Sequence, residues 1–116
     1  MKYLCLVYCE EEKLHSLPES PKDVECMAYD DKLGDSGQRV AAEALQAVHT
    51  ATTVRMRNGT MSMTDGPFAE TNQQLVGFYL IDVRDLNEAL RVAANIPAAR
   101  VGSVEVRPVR QLNPQH

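Results

Sequence analysis

The sequence has no hydrophobic run long enough to cross a membrane. Its longest apolar stretch is the Leu75–Ile81 region, against the roughly 20 residues that a spanning helix needs. It also has no excess of positive charge. The formal net charge is -4, from 12 Lys+Arg and 16 Asp+Glu. Direct nucleic-acid binding needs a basic face that displaces counterions from phosphates, so it is not expected. Docking on an anionic membrane surface is not expected either. The three cysteines, Cys5, Cys9 and Cys26, are too few and odd in number for a disulfide framework. Cys5 and Cys9 would stand about 13 Å apart along one strand, too far to bridge. Three reduced thiols in a cytoplasmic protein are expected, with Cys5 and Cys9 serving as small hydrophobes. The histidines are His15, His49 and His116, scattered without metal-ligand spacing. No Gly-rich phosphate loop follows a strand. No metal and no cofactor are therefore expected.

What is present reads as one α+β domain over residues 1–112, with a flexible tail at 113–116. Hydrophobic residues make up 44% and charged residues 24%, an ordinary globular balance. A chain of 116 residues buries a modest core, which leaves room for help from a partner subunit. The start, Met1 to Cys9, has no small-residue cleavage site and does not read as a signal peptide. Residues 2–9 are apolar on both faces and read as a central strand. Residues 10–19 read as an acidic linker. Ser20-Pro21-Lys22-Asp23 predicts a helix start, with Ser20 as cap and Asp23 in the capping-box position. That helix should run to about Ser36 and stop at Gly37. Cys26, Tyr29 and Leu33 share one face of it, while Asp30, Asp31 and Asp35 lie on solvated ground.

Residues 39–46 read as a strand, Val40, Ala42 and Ala44 alternating with Arg39, Ala41 and Glu43. Asn58-Gly59 between two alternating runs predicts a hairpin closed by a type I′ turn. The turn fixes the pairs Arg57 with Thr60, Met56 with Met61, Arg55 with Ser62, Val54 with Met63, and Thr53 with Thr64. One hairpin face then carries Val54, Met56, Met61 and Met63, which read first as packing residues and second as a methionine-rich binding surface. Thr64–Gln74 reads as a loop. Leu75–Val83 is a second strand apolar on both faces. Asp85-Leu86-Asn87-Glu88 is a capping box opening a helix, which ends at Ile96-Pro97. Ser103–Val109 reads as the last strand.

Without the hairpin the order is β-α-β-β-α-β, the ferredoxin-like pattern. Its first and third strands are central, and those are the two with two apolar faces. Two helices cover only one side of such a sheet. The other side would be a bare apolar patch, best covered by a second copy with the sheets face to face. A homodimer is expected.

The segment Thr64-Asp65-Gly66-Pro67-Phe68-Ala69-Glu70-Thr71 resembles the signature of the YCII-related proteins, in their DGPF subgroup. The resemblance continues through Leu75-Val76-Gly77-Phe78-Tyr79-Leu80-Ile81, Ile96-Pro97-Ala98-Ala99-Arg100 and Gly102-Ser103-Val104-Glu105-Val106-Arg107-Pro108. It takes in Met1-Lys2-Tyr3-Leu4, Glu43-Ala44-Leu45 and the stretch Thr50–Arg55, and so covers nearly the whole chain. It implies a dimeric α/β barrel of ferredoxin-like halves, with a cleft between helices, hairpin and sheet. It implies no single activity. Some relatives are small-molecule lyases that use a histidine–aspartate pair early in the chain. Here that region reads Ser20-Pro21-Lys22-Asp23-Val24, with no histidine, so the pair is not carried over. DGPF members are often encoded beside extracytoplasmic-function sigma factors, which implies a regulatory setting with a sigma factor as partner.

The candidate site residues follow from residue chemistry. Asp65 is either a staple of its own turn or a pocket acid or base. Glu43, set among alanines, becomes a base if it faces inward. His49 is the one histidine near the signature. Arg55 and Arg100 are candidates to hold a small anionic ligand through the guanidinium fork, and Arg100 is also placed to pair with Asp65 or Glu43. Phe68 anchors the loop and is a candidate pocket wall. Two functions remain open: a cofactor-independent enzyme of proton transfer or elimination, and a non-catalytic ligand-binding or regulatory partner.

Overall fold

A computed structural model describes all residues, Met1–His116. The chain runs β1 (Lys2–Cys9), α1 (Glu11–Leu14), α2 (Asp23–Asp35), β2 (Arg39–Ala44), β3 (Thr52–Arg57), β4 (Thr60–Asp65), β5 (Gln74–Asp82), α3 (Leu86–Asn95) and β6 (Ser103–Pro108). Short 3₁₀ turns lie at Val48–Thr50 and Pro97–Arg100. Four strands form an antiparallel sheet in the order β2-β5-β1-β6. The two most apolar strands, β1 and β5, are its central pair. The order and the two main helices are compatible with a ferredoxin-like fold.

Register sorts the side chains by face, because alternate residues point to opposite sides. Tyr3, Cys5, Val7 and Cys9 face the helices and are buried, joined by Ile81 from β5. Leu33 of α2 and Ala89, Val92 and Ala93 of α3 close over them. Leu4 and Leu6 stand opposite Leu80 and Phe78 on the other face. No helix covers that side.

Two bulges depart from simple alternation. One lies between Val7 and Tyr8 of β1 and β5. The other lies between Arg39 and Ala41. Arg39 stands opposite Ile81 and Ala42 opposite Tyr79, so both are on the helix side; Ala41 and Glu43 are on the open side. The expected grouping of Arg39 with Ala41 and Glu43 is thereby corrected. An extra residue in one strand flips every side chain before it.

The hairpin has the expected register at all five pairs, with Thr52–Asp65 added at its base. Asn58 (φ 53°) and Gly59 (φ 76°) both take the left-handed conformation that a type I′ turn requires. β4 extends through Asp65, so that residue ends a strand and does not lie in the loop. Gly66, at φ 97°, makes the reversal that follows.

The helix starts are less regular. The acidic linker contains the single turn α1. α2 begins at Asp23 after Lys22, with no side-chain cap. Ser20, expected as that cap, has its hydroxyl buried without a partner, and the Pro21 that follows it is buried. Gly37 (φ 79°) ends the segment as expected. At α3 the Asp85 side chain accepts from the Glu88 backbone N–H at 2.9 Å. Glu88 does not return the bond. Its carboxylate takes Arg84 at 2.5 Å and Gln38 at 2.7 Å.

Candidate functional site

An open cleft of about 670 Å³ lies between α1, α2 and the helix-facing side of β2 and β5. A volume of this order suits a small organic ligand. Its floor follows from the sheet. Small residues Ala42, Ala44 and Gly77 leave space there, and Val7, Val76 and Ile96 make it apolar. Gly77 is small by necessity, since a Cβ there would lie 2.9 Å from the Glu43 carbonyl oxygen.

The helices supply the polar groups. Glu11, His15, Asp23, Cys26 and Asp30 line the cleft, and Tyr79 reaches it from β5. Asp30 and Cys26 lie four apart on α2 and so share a face. One carboxylate oxygen of Asp30, Oδ2, pairs with Arg39 Nη1 at 2.7 Å. That pairing exists because the β2 bulge puts Arg39 on the helix side. The other oxygen, Oδ1, is buried with no partner. Asp30 is therefore not simply a solvated surface acid, as its sequence context suggests. Glu11 shapes the rim: its carboxylate accepts from the Val48 N–H at 2.8 and 3.2 Å, and its own N–H donates to Gln74 at 3.0 Å.

Burial sets the protonation of two cleft groups. It pushes the Tyr79 phenol up to about 12, with nearby Cys26 and Asp30 adding to the effect. It also raises the Cys26 thiol, reinforced by Asp23 and Glu25. Both stay protonated at neutral pH, so Cys26 is no thiolate nucleophile and Tyr79 is a hydrogen-bond donor. Its ring meets Tyr29 edge to face at 5.9 Å. The lining has no lysine or arginine. A carboxylate-rich wall favours a ligand that donates hydrogen bonds or carries positive charge. No group of three or more His, Cys, Asp or Glu side chains is placed to hold a metal ion.

Of the residues singled out from sequence, Glu43 alone borders the cleft. Register with Phe78 turns its side chain to the open face. Asp65 is exposed at the end of β4, and its carboxylate makes no hydrogen bond. The base of the turn is held instead by Thr53 Oγ1 donating to the Gly66 carbonyl at 2.9 Å and Gly66 N–H donating to Ala51 at 2.7 Å. His49 is exposed before the hairpin, Arg55 lies on β3, and Phe68 is 79% exposed. Arg100 pairs with neither Asp65 nor Glu43. It forks onto Glu25 of α2 at 2.6 and 2.8 Å. The sequence thus missed Asp30, Tyr79 and Cys26. The one available signal was the spacing of Cys26 and Asp30 around Tyr29, which places all three on neighbouring helical positions.

Residues 1–113 match the model of the YCII-related domain. The chain is 37% identical over 120 residues to an uncharacterized protein of Rhizobium meliloti, covering 98% of this chain and 96% of that one. The chain belongs to the YCII-related family.

Proposed function

We propose that this protein binds a small, donor-bearing molecule in the cleft beneath α2 and acts on it by cofactor-independent proton transfer or elimination. The observation that carries the reading is the free, buried Oδ1 of Asp30 at a cleft of about 670 Å³. A buried acceptor without a partner is costly unless something supplies a donor. A ligand amine or hydroxyl would do so. Asp30 would then receive the proton and the Tyr79 hydroxyl would donate, the pairing that general acid–base chemistry requires.

The same proposal takes the working unit as a homodimer, a dimeric barrel with the open sheet faces packed together. It places the chain in the DGPF subgroup on the strength of Thr64–Thr71. Asp65, His49, Arg55 and Phe68 all belong to the hairpin region. They would join a site only if a second copy brought that region to its cleft.

The test is a ligand screen by thermal shift, using primary amines, polyols and hydroxy acids. A hit should lose roughly ten-fold or more in affinity in Asp30→Asn and disappear in Ala42→Leu, which fills the floor. Arg39→Gln, which breaks the ion pair but leaves the cleft open, should keep binding. Hits that bind Ala42→Leu and wild type equally would remove the cleft from the function. Binding without turnover would leave the ligand-sensing role, in the sigma-factor setting.

A further inference from the structure

The β3–β4 hairpin is inside out for a solvated element. Its apolar face is bare: Val54, Met56, Met61 and Met63 are 55–65% exposed. Its polar face is the better covered one, since Thr53 and Arg55 are half-buried. A two-stranded hairpin is marginal in water by itself. This one pairs with no other strand, and its base is closed by bonds among Ala51, Thr53 and Gly66.

The surface area says that a large covering is missing from the single chain. The accessible surface is 8526 Å², against about 6,300 Å² expected of a compact monomer of 12.9 kDa. The excess is roughly 2,200 Å². The open face of a four-stranded sheet of this length measures only about 400 Å² in projection, at roughly 4.8 Å per strand and 3.3 Å per residue. The sheet face alone is too small to absorb such an excess. The hairpin is a further extension, and its bare side is Val54 and three methionines, adaptable contact residues.

We infer that the hairpin is an arm that closes on a second copy of this chain, with Val54, Met56, Met61 and Met63 buried in that contact. This rests on the homodimer proposed above and extends the interface from the sheet to the arm. A second copy is the occupant because the surface excess is more than one sheet face can absorb, and the partly exposed Leu4, Leu6, Phe78 and Leu80 of that face would lie at the centre of the same contact. Two-fold symmetry also lets each arm be covered in the same way, so that no bare methionine face is left over.

The experiment is methionine footprinting with dilute peroxide, read by mass spectrometry, beside light scattering on the same sample. Met1 and Met27 are 66% and 67% exposed and serve as internal references. Met56, Met61 and Met63 should oxidise about five-fold or more slowly than Met27 in the dimer, because a covered thioether is shielded. The rates should converge when dilution gives monomer. The double variant Met56→Glu, Met61→Glu should weaken the dimer. Equal rates in a sample of dimer mass would overturn the arm and leave the sheet-face dimer standing. Protection that persists in the monomer, or that needs a different protein, would also overturn it. A sample that is monomeric at every concentration would overturn both proposals.

Discussion

Asp30 owes its position to a residue on another element. The bulge in β2 turns Arg39 toward α2, the ion pair holds one carboxylate oxygen, and the other is buried without a partner. Neither step was legible in the sequence, because a bulge among alanines has no local signature. Arg100 was misplaced for a related reason: its partner, Glu25, is brought near by tertiary packing alone. That pair is surface-exposed and of little weight, so Arg100→Gln should leave the unfolding midpoint almost unmoved. Gly102 carries far more. A Cβ there would lie 2.1 Å from the Tyr8 carbonyl oxygen and 2.6 Å from Cys9 Sγ. Gly102→Ala should therefore destabilise the protein by about 1–3 kcal/mol, measured by urea unfolding. Titration gives a further check. Burial raises Cys5 from 9.0 to about 11, and Tyr29 and Tyr79 from 10.0 to about 12. Each is neutral when protonated, so the folded state holds these protons more tightly than the unfolded chain. The stability they confer is complete below about pH 9 and is lost as pH rises toward 12. Unfolding free energy should fall across that window, and fall less steeply in Tyr79→Phe. Identical slopes in the two proteins would contradict the burial of that phenol.

Elements with a strong local code were readable. Asn58-Gly59 admits one tight turn, and that turn dictates every pair in the hairpin. Asp85-Leu86-Asn87-Glu88 marks the start of α3, and the Asp85 cap is present. Asp85→Ala should cost about 1 kcal/mol, with Asp85→Asn recovering most of it. α1 and the first turn of α2 were less legible, because they involve a buried Pro21 and a long-range bond donated by the Val48 N–H to the Glu11 carboxylate. The cleft was unreadable for the same reason, since its walls come from four separate elements. Two-sided apolar strands were legible and correctly set β1 and β5 at the centre of the sheet. What would cover the far side of those strands was not written in any one segment.

At the scale of the molecule, the dimensions carry the argument. The chain spans 46 × 44 × 19 Å with a radius of gyration of 16.2 Å, where a compact domain of this length has about 13 Å. Only 14 of 116 residues are buried, the whole-molecule observation behind the proposed dimer. In the proposed dimer, the partly exposed Leu4, Leu6, Phe78 and Leu80 of the sheet and the exposed methionines of the arm form one interface. Leu6→Glu, placed at the middle of the sheet face, should convert the assembly to monomer and lower its thermal stability. The most direct measurement is sedimentation equilibrium on the wild-type protein at micromolar concentration. A mass of twice the 12.9 kDa chain, falling to one chain in Leu6→Glu, is the expected result. A wild-type mass of a single chain across that range would contradict the dimer.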